Sequence, residues 1–305
     1  MSGDAIVFRN VEDFDALQIF ECGQAFRWKR ENDGSHTGVA RGRAANISFA
    51  LTNSESGAGD VKIRKITAAA SRGEEDGEES NDRRFWEHYL DLGRDYGEIK
   101  RTLTAEDAVM ARAVAHGAGI RILNQEPWEA LISFIISQNN HIPRIMGCVE
   151  RLCAACGARI DGGAACGDFF AFPRIEVLAG LSEGDLASCR LGYRAEYLVK
   201  TARKVAEAGG AAWLETLRGA AIDEAEKALL SLPGVGPKVA ACVLLFGLGR
   251  MEAFPVDVWM KRAMRAFYGV DEKDAAARAA ARFGPYAGIA QQYLFHYMRT
   301  AGRAE

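Results

Sequence analysis

Two residues nineteen positions apart, Lys238 and Asp257, carry the strongest chemical signal in the chain. Lys238 lies in Ser231-Leu-Pro-Gly-Val-Gly-Pro-Lys-Val-Ala-Ala-Cys242, between two segments of amphipathic helical spacing. Leu-Pro-Gly-Val-Gly predicts a tight turn in which Gly234 and Gly236 present bare backbone N–H groups, with Pro237 as the first helical residue. Such a turn can hold a phosphate, a contact that positions DNA without reading its sequence. Lys238 falls in the first turn of the next helix, where the dipole disfavours a cation, beside apolar Val239, Ala240 and Ala241. That setting suits a nucleophilic amine as well as a plain phosphate contact. A Walker loop is excluded, because four residues would have to separate its glycines and a Ser or Thr would have to follow its lysine. Asp257, in Phe254-Pro-Val-Asp-Val, stands at a helix start. It could be a simple N-cap or a carboxylate that stabilises a cationic transition state.

The elements that must position this pair divide the chain in two. From Ala5 to about Ile66, short strand-forming runs (Ala-Ile-Val-Phe, Ala-Phe-Arg-Trp-Lys, Thr-Gly-Val-Ala, Asn-Ile-Ser-Phe-Ala-Leu) alternate with turn chemistry and predict an antiparallel sheet. Residues 68–82 have no apolar periodicity and a block of like charge, which predicts a loop or disordered insertion. From about Arg101 onward, apolar residues recur at i, i+3 and i+4, and the spacing predicts an all-helical domain. The fold class is therefore α+β, with domains at 1–100 and 101–305 and the hairpin pair of helices at about 222–248.

Composition sets few further limits. The chain has 305 residues, 49% hydrophobic and 26% charged, ordinary globular values. Its formal charge of −3 argues against DNA only on its face, since removing five acidic residues within 74–79 would leave the rest net positive. Seven cysteines, an odd number, and no secretory signal in the first ten residues predict an intracellular, reducing compartment. The longest apolar stretch, Val239–Leu248, is far short of the ~20 residues a membrane helix needs.

Helix, Leu-Pro-Gly-Val-Gly-Pro-Lys, helix, Pro-Val-Asp-Val resembles the helix-hairpin-helix-Gly/Pro-Asp (HhH-GPD) superfamily of DNA glycosylases, in which a lysine after the hairpin marks the bifunctional glycosylase/lyases. Further segments narrow the resemblance to the 8-oxoguanine-DNA glycosylase family: Gly23-Gln-Ala-Phe-Arg-Trp28, Phe85-Trp86 through Asp91-Leu-Gly-Arg-Asp-Tyr96, Ser137-Gln-Asn-Asn-His-Ile-Pro-Arg144, Leu191-Gly-Tyr-Arg194 and Gly288-Ile-Ala-Gln-Gln-Tyr-Leu-Phe295. The resemblance implies a TBP-like N-terminal sheet domain, a helical glycosylase domain and excision of 8-oxoguanine paired with cytosine. It implies that Lys238 attacks the sugar while Asp257 stabilises positive charge, and that a Schiff base then leads to strand cleavage by β-elimination. Gly23 would offer its carbonyl to the lesion's N7–H, a donor that guanine lacks. Phe295 would stack on the flipped base, Gln291 would bond its Watson–Crick edge, and Cys242 would wall the slot as packing. Asn139, Arg144, Tyr193 and Arg194 would fill the vacated stack and meet the orphaned cytosine.

No catalytic metal or redox cofactor is expected, although relatives can hold a monovalent or calcium ion on hairpin carbonyls. Cys153, Cys156 and Cys166 lack a fourth ligand for zinc. No cysteine follows Cys242, which excludes the iron–sulfur variety of the superfamily. The partner is damaged double-stranded DNA, the location is with the chromosome, and the expected state is a monomer. Trp259 stands where relatives carry histidine, which puts a local phosphate contact and a proton relay in doubt. Two rival readings remain, a glycosylase for a formamidopyrimidine or alkylated base and a non-catalytic DNA-binding module.

Overall fold

The computed structural model describes residues 5–54, 56–66, 75–160 and 168–301, and at 75–80 the backbone alone. Five strands, β1 (Ala5–Val11), β2 (Trp28–Arg30), β3 (His36–Ala40), β4 (Arg43–Asn53) and β5 (Ala58–Lys65), form one antiparallel sheet in the order β1-β5-β4-β3-β2. Alternation explains its inner face. Ile6, Phe8, Ala45, Ile47, Val61 and Ile63 point one way and are buried against the helix Glu75–Tyr89, whose Trp86 and Tyr89 complete this core. Trp28 joins the layers by donating its indole N–H to the Tyr89 hydroxyl at 2.8 Å.

Part of the charged segment departs from the loop expected at 68–82: a helix starts at Glu75. A block of like charge argues against a core position without arguing against a helix, and Phe85 and Trp86 supply a buried end. Residues 68–74 of that expectation lie outside the described residues.

The rest of the described chain is mainly helical and builds a second, larger core around the largely buried helix Pro127–Ser137. Tyr96 and Ile99, and Cys22 and Phe26 from the sheet portion, also enter this core. The lobes are further locked by side chains that satisfy irregular backbone. Buried Arg121 donates to the carbonyls of Glu12, Asp13 and Asp91, and the Tyr96 hydroxyl donates to Asp91 while accepting from Ile122 N at 2.8 Å. This is the work of the Asp91–Tyr96 motif: buried extended backbone at 120–125 would otherwise leave polar groups unpaired. Among the described residues no helix is long and apolar enough to cross a membrane.

Candidate active site

Three elements converge on one narrow pocket. The helix Pro237–Cys242 brings Lys238 and Cys242, and the start of the helix Val258–Tyr268 brings Asp257. The helix Ala287–Thr300 brings Gln291 and Phe295, and Gly23 closes the pocket from the loop after the helix Ala16–Glu21. All six residues expected for catalysis and base binding therefore line one cavity, of about 40 Å³. Its remaining walls are Phe134, Phe246, Pro255 and Gln292.

The Lys238 ammonium is half-buried and stands 5.0 Å from the centre of the Phe134 ring. It donates to Ser137 Oγ at 3.2 Å, and Ser137 in turn donates to the Phe134 carbonyl at 2.8 Å. The hydroxyl proton is thus committed to the helix, and a lone pair faces the lysine. Asp257 caps its helix, accepting from Met260 N at 2.9 Å through Oδ1. The cap and the pocket position are compatible because a carboxylate has two oxygens. Burial pushes the Cys242 thiol up to about 11 while nearby Lys238 pulls it down, so the thiol is protonated at neutral pH and acts as a wall.

After Cys242 the helix widens into a π-turn over Val243–Gly247, closed by Leu248 N donating to Val243 O at 2.9 Å. Single π-turns are frequent at functional sites. Here the turn carries Phe246, which stacks on Phe134 at 5.3 Å and 17° and extends the aromatic wall behind the lysine. Gln291 is 4% exposed and its Oε1 has no hydrogen-bond partner among the described residues. A buried unpaired acceptor is costly, and a ligand donor entering the pocket would satisfy it.

The hairpin is held from below. Thr201 donates to Pro233 O at 2.6 Å and Gln138 Nε2 to Gly234 O at 2.8 Å. The Gly234 and Gly236 N–H groups have no acceptor among the described residues and remain available for an anion. The two glycines differ in their reason. Gly234 has φ +74°, and a Cβ there would lie 2.6 Å from Tyr197 Cγ, whereas Gly236 has φ −99° and a Cβ would meet nothing within 4 Å. The protein itself does not require glycine at 236.

Asn139 and Tyr193 stand at the ends of adjacent turns; Asn139 has φ +46° and Tyr193 is 53% exposed. Arg144 is exposed in the first turn of the helix Ile142–Cys156, which His141 caps. Arg194, expected with these residues to meet the orphaned cytosine, sits behind them. It is 3% exposed, and its guanidinium donates to the carbonyls of Gln138, Asn139 and Leu191. It is a strut that fixes the turn carrying Asn139, because a buried guanidinium needs acceptors and the turn offers unpaired carbonyls.

Sequence reasoning gave no role to Ser137, Phe134, Phe246, Pro255 or Gln292. A signal existed for two of them: Phe134 precedes Ser137 by three residues and Phe246 follows Cys242 by four, both same-face spacings. Trp259 packs half-buried against the helical core, with the Arg262 guanidinium 5.5 Å from its ring. Cys166 lies outside the described residues, within which no three His, Cys, Asp or Glu side chains gather as a metal site.

Comparison with known proteins follows the same division. Residues 6–131 match the 8-oxoguanine DNA glycosylase N-terminal domain, and residues 132–285 match the HhH-GPD superfamily of base excision DNA repair proteins. The chain is 31% identical over 302 residues to an N-glycosylase/DNA lyase OGG1 of Arabidopsis thaliana, covering 90% of this chain and 75% of that protein. An N-glycosylase/DNA lyase of Saccharomyces cerevisiae is also 31% identical, covering 86% and 70%. The Clostridium acetobutylicum 8-oxoguanine glycosylase/lyase, solved with double-stranded DNA containing cytosine opposite 8-oxoG, superposes with a TM-score of 0.86 at 36% identity over 99% of this chain and 97% of its own. Sheet domain, hairpin and pocket together place this chain in the 8-oxoguanine DNA glycosylase family of the HhH-GPD superfamily.

Proposed function

We propose that this protein removes 8-oxoguanine opposite cytosine from duplex DNA and then cuts the strand at the resulting site, as a monomer acting on the chromosome in base excision repair. The observation that carries this reading is the convergence of Lys238, Asp257, Gly23, Cys242, Gln291 and Phe295 on one pocket beside a hairpin with unpaired N–H groups.

The glycosidic bond is out of reach inside a duplex, so the nucleotide must be flipped, at a cost of a few kcal/mol. The pocket as it stands has room for a few waters and none for a purine. Phe295 and Gly23 must part to admit the base, which then lies between Phe295 and Cys242. The Gly23 carbonyl receives the lesion's N7–H, and Gln291 Oε1 gains the donor it lacks. Guanine offers an acceptor at N7, and two facing acceptors would both stay unpaired. Asn139 and Tyr193 fill the gap left in the stack, and exposed Arg144 reaches the orphaned cytosine. Gly234 and Gly236 hold a backbone phosphate.

The neutral Lys238 amine attacks C1', the C1'–N9 bond breaks, and its electron pair leaves with the base, which takes up a proton. Asp257 stabilises positive charge on the sugar as the bond stretches. Ring opening gives an iminium between Lys238 and C1'. Loss of the acidified C2' proton then expels the 3' phosphate, and water releases the lysine. Side chains, DNA and the water of the last step supply every atom of this sequence. No step of this sequence depends on a cation at the hairpin.

Borohydride trapping on an 8-oxoguanine:cytosine duplex tests this reading. Wild type should form a covalent adduct, Lys238→Gln should form none, and an undamaged duplex should give none with either. Unchanged base release by Lys238→Gln would remove Lys238 as the nucleophile, and a wild type that binds the duplex but releases no base and forms no adduct would overturn the enzyme assignment.

A further inference from the structure

Gly23 is the residue on which recognition of the lesion turns, and it is intrinsically the softest point of its loop. With φ +86° and no side chain, its peptide units can rotate at little cost. On the proposed reading the Gly23 carbonyl meets the base, and a flip of the Gly23–Gln24 peptide would present an N–H instead, inverting the donor and acceptor pattern.

The surrounding hydrogen bonds oppose that flip from both sides. On the N-terminal side, Gln292 Nε2 donates to Cys22 O at 2.8 Å and Arg299 Nη2 to Glu21 O at 2.5 Å. On the C-terminal side, Gln125 Nε2 donates to Gln24 O at 2.7 Å. The buried Gln24 side chain is itself held at three points, donating to Ile19 O at 3.0 Å and Arg121 O at 2.8 Å and accepting from Leu123 N at 2.8 Å. Within 21–24, Gly23 O alone accepts no hydrogen bond among the described residues. Gln292 and Gln125 are 2% and 7% exposed, so neither bond is diluted by water.

We infer that Gln292 and Gln125 are positioning residues that clamp the peptides on either side of Gly23, holding its carbonyl toward the pocket and so setting the selectivity for a base with a donor at N7. This inference rests on the proposed function. Gln292 neighbours the base-edge residue Gln291 on one helix, so a single rigid element carries both the reader of the base edge and the clamp on the reader of N7. Gln125 lies outside the pocket that Gln292 helps to wall, so the effect of Gln125 should appear only when a base must be recognised.

Gln292→Met and Gln125→Met keep side-chain length and remove the donor. Single-turnover base excision from 8-oxoguanine:cytosine should fall about tenfold or more in each, while in Gln125→Met, whose side chain lies outside the pocket, β-elimination on a duplex carrying a preformed abasic site stays within about twofold of wild type. Equal loss on both substrates in Gln125→Met would mean a purely structural role and overturn the clamp, as would unchanged excision in both variants. Wild type that cuts the abasic duplex but leaves 8-oxoguanine in place would overturn the base assignment together with the clamp, and it is distinguished from clamp failure because it needs no variant.

Discussion

Lys238 is held by a hydroxyl that contributes no chemistry of its own. The Ser137 proton is directed at the Phe134 carbonyl, which leaves Oγ an acceptor for the lysine and orients the amine across the aromatic wall. A hydrogen bond to a charged group contributes about 1.5 kcal/mol or more, equivalent to about tenfold in rate if it is needed to reach the attacking position. Ser137→Ala is therefore expected to slow both base excision and abasic-site cleavage about tenfold with DNA affinity unchanged, and Ser137→Thr to restore most of the loss. Rapid-quench measurements on the two substrates check this, and a variant as fast as wild type would remove Ser137 from the account. The contrast with Gln125 is diagnostic. A group that orients the nucleophile acts on every step the lysine performs, whereas one that orients Gly23 acts only where a base is read. Arg194 illustrates the opposite kind of residue, an arginine whose motif suggests a base contact but whose donors are used on backbone carbonyls.

The hairpin is the element in which fold and function can be separated, because its two glycines exist for different reasons. Gly234→Ala would place a Cβ 2.6 Å from Tyr197 Cγ at φ +74°, which should cost about 1–3 kcal/mol and lower the melting temperature. Gly236→Ala meets no protein atom and has an ordinary φ, so it should melt like wild type yet bind damaged and undamaged duplexes more weakly by a similar factor, since a phosphate contact carries no base information. Thermal melts and fluorescence anisotropy separate these outcomes; full DNA affinity in Gly236→Ala would rule out close approach of the backbone there. The hairpin was legible in the sequence because turn chemistry and helical periodicity are both local. Other elements were not. The helix Ala16–Glu21 is only six residues, too short for a periodic signal, and β5 alternates as a strand should but has only Val61 and Ile63 as large apolar residues to announce it. In Ala-Phe-Arg-Trp-Lys the strand begins at Trp28, because Ala25 and Phe26 turn inward to the two cores. The helix from Glu75 was hidden by charge, which argues against a core position without arguing against a helix. Among the site residues, Lys238 and Asp257 were legible from local pattern, while Ser137 and Gln292 act through partners about a hundred residues or more away.

At the scale of the whole molecule, the loop that presents Gly23 also joins the sheet lobe to the helical lobe, and one buried ion pair sits at that junction. Arg27, four residues after Gly23, lies 3.7 Å from Glu129 on the central helix and also donates to Phe170 O; the side chains of the pair are 9% and 12% exposed. Burial pushes the Glu129 carboxyl up to about 7 from an ordinary 4.5, with Arg27 pulling against it. The folded protein therefore retains a proton that the unfolded chain has lost between about pH 4.5 and 7. It follows that stability from this group is fully present below the unfolded value and is lost as pH rises through the folded one, a difference on the order of 3 kcal/mol at the alkaline limit. This group alone should lower the melting temperature between pH 5 and pH 8, against half-buried His296, whose imidazole is pushed down to about 4 and adds stability as pH rises, and Glu129→Gln, which cannot ionise, should shift the slope of the curve upward. The slope is the relevant readout, because the substitution also alters the environment of Arg27 and shifts stability at every pH by a constant. Calorimetric scans of the two proteins across that range decide the matter: parallel curves would mean that Glu129 is ionised throughout, and that Arg27 fixes the junction as a full ion pair rather than by sharing a largely neutral carboxyl.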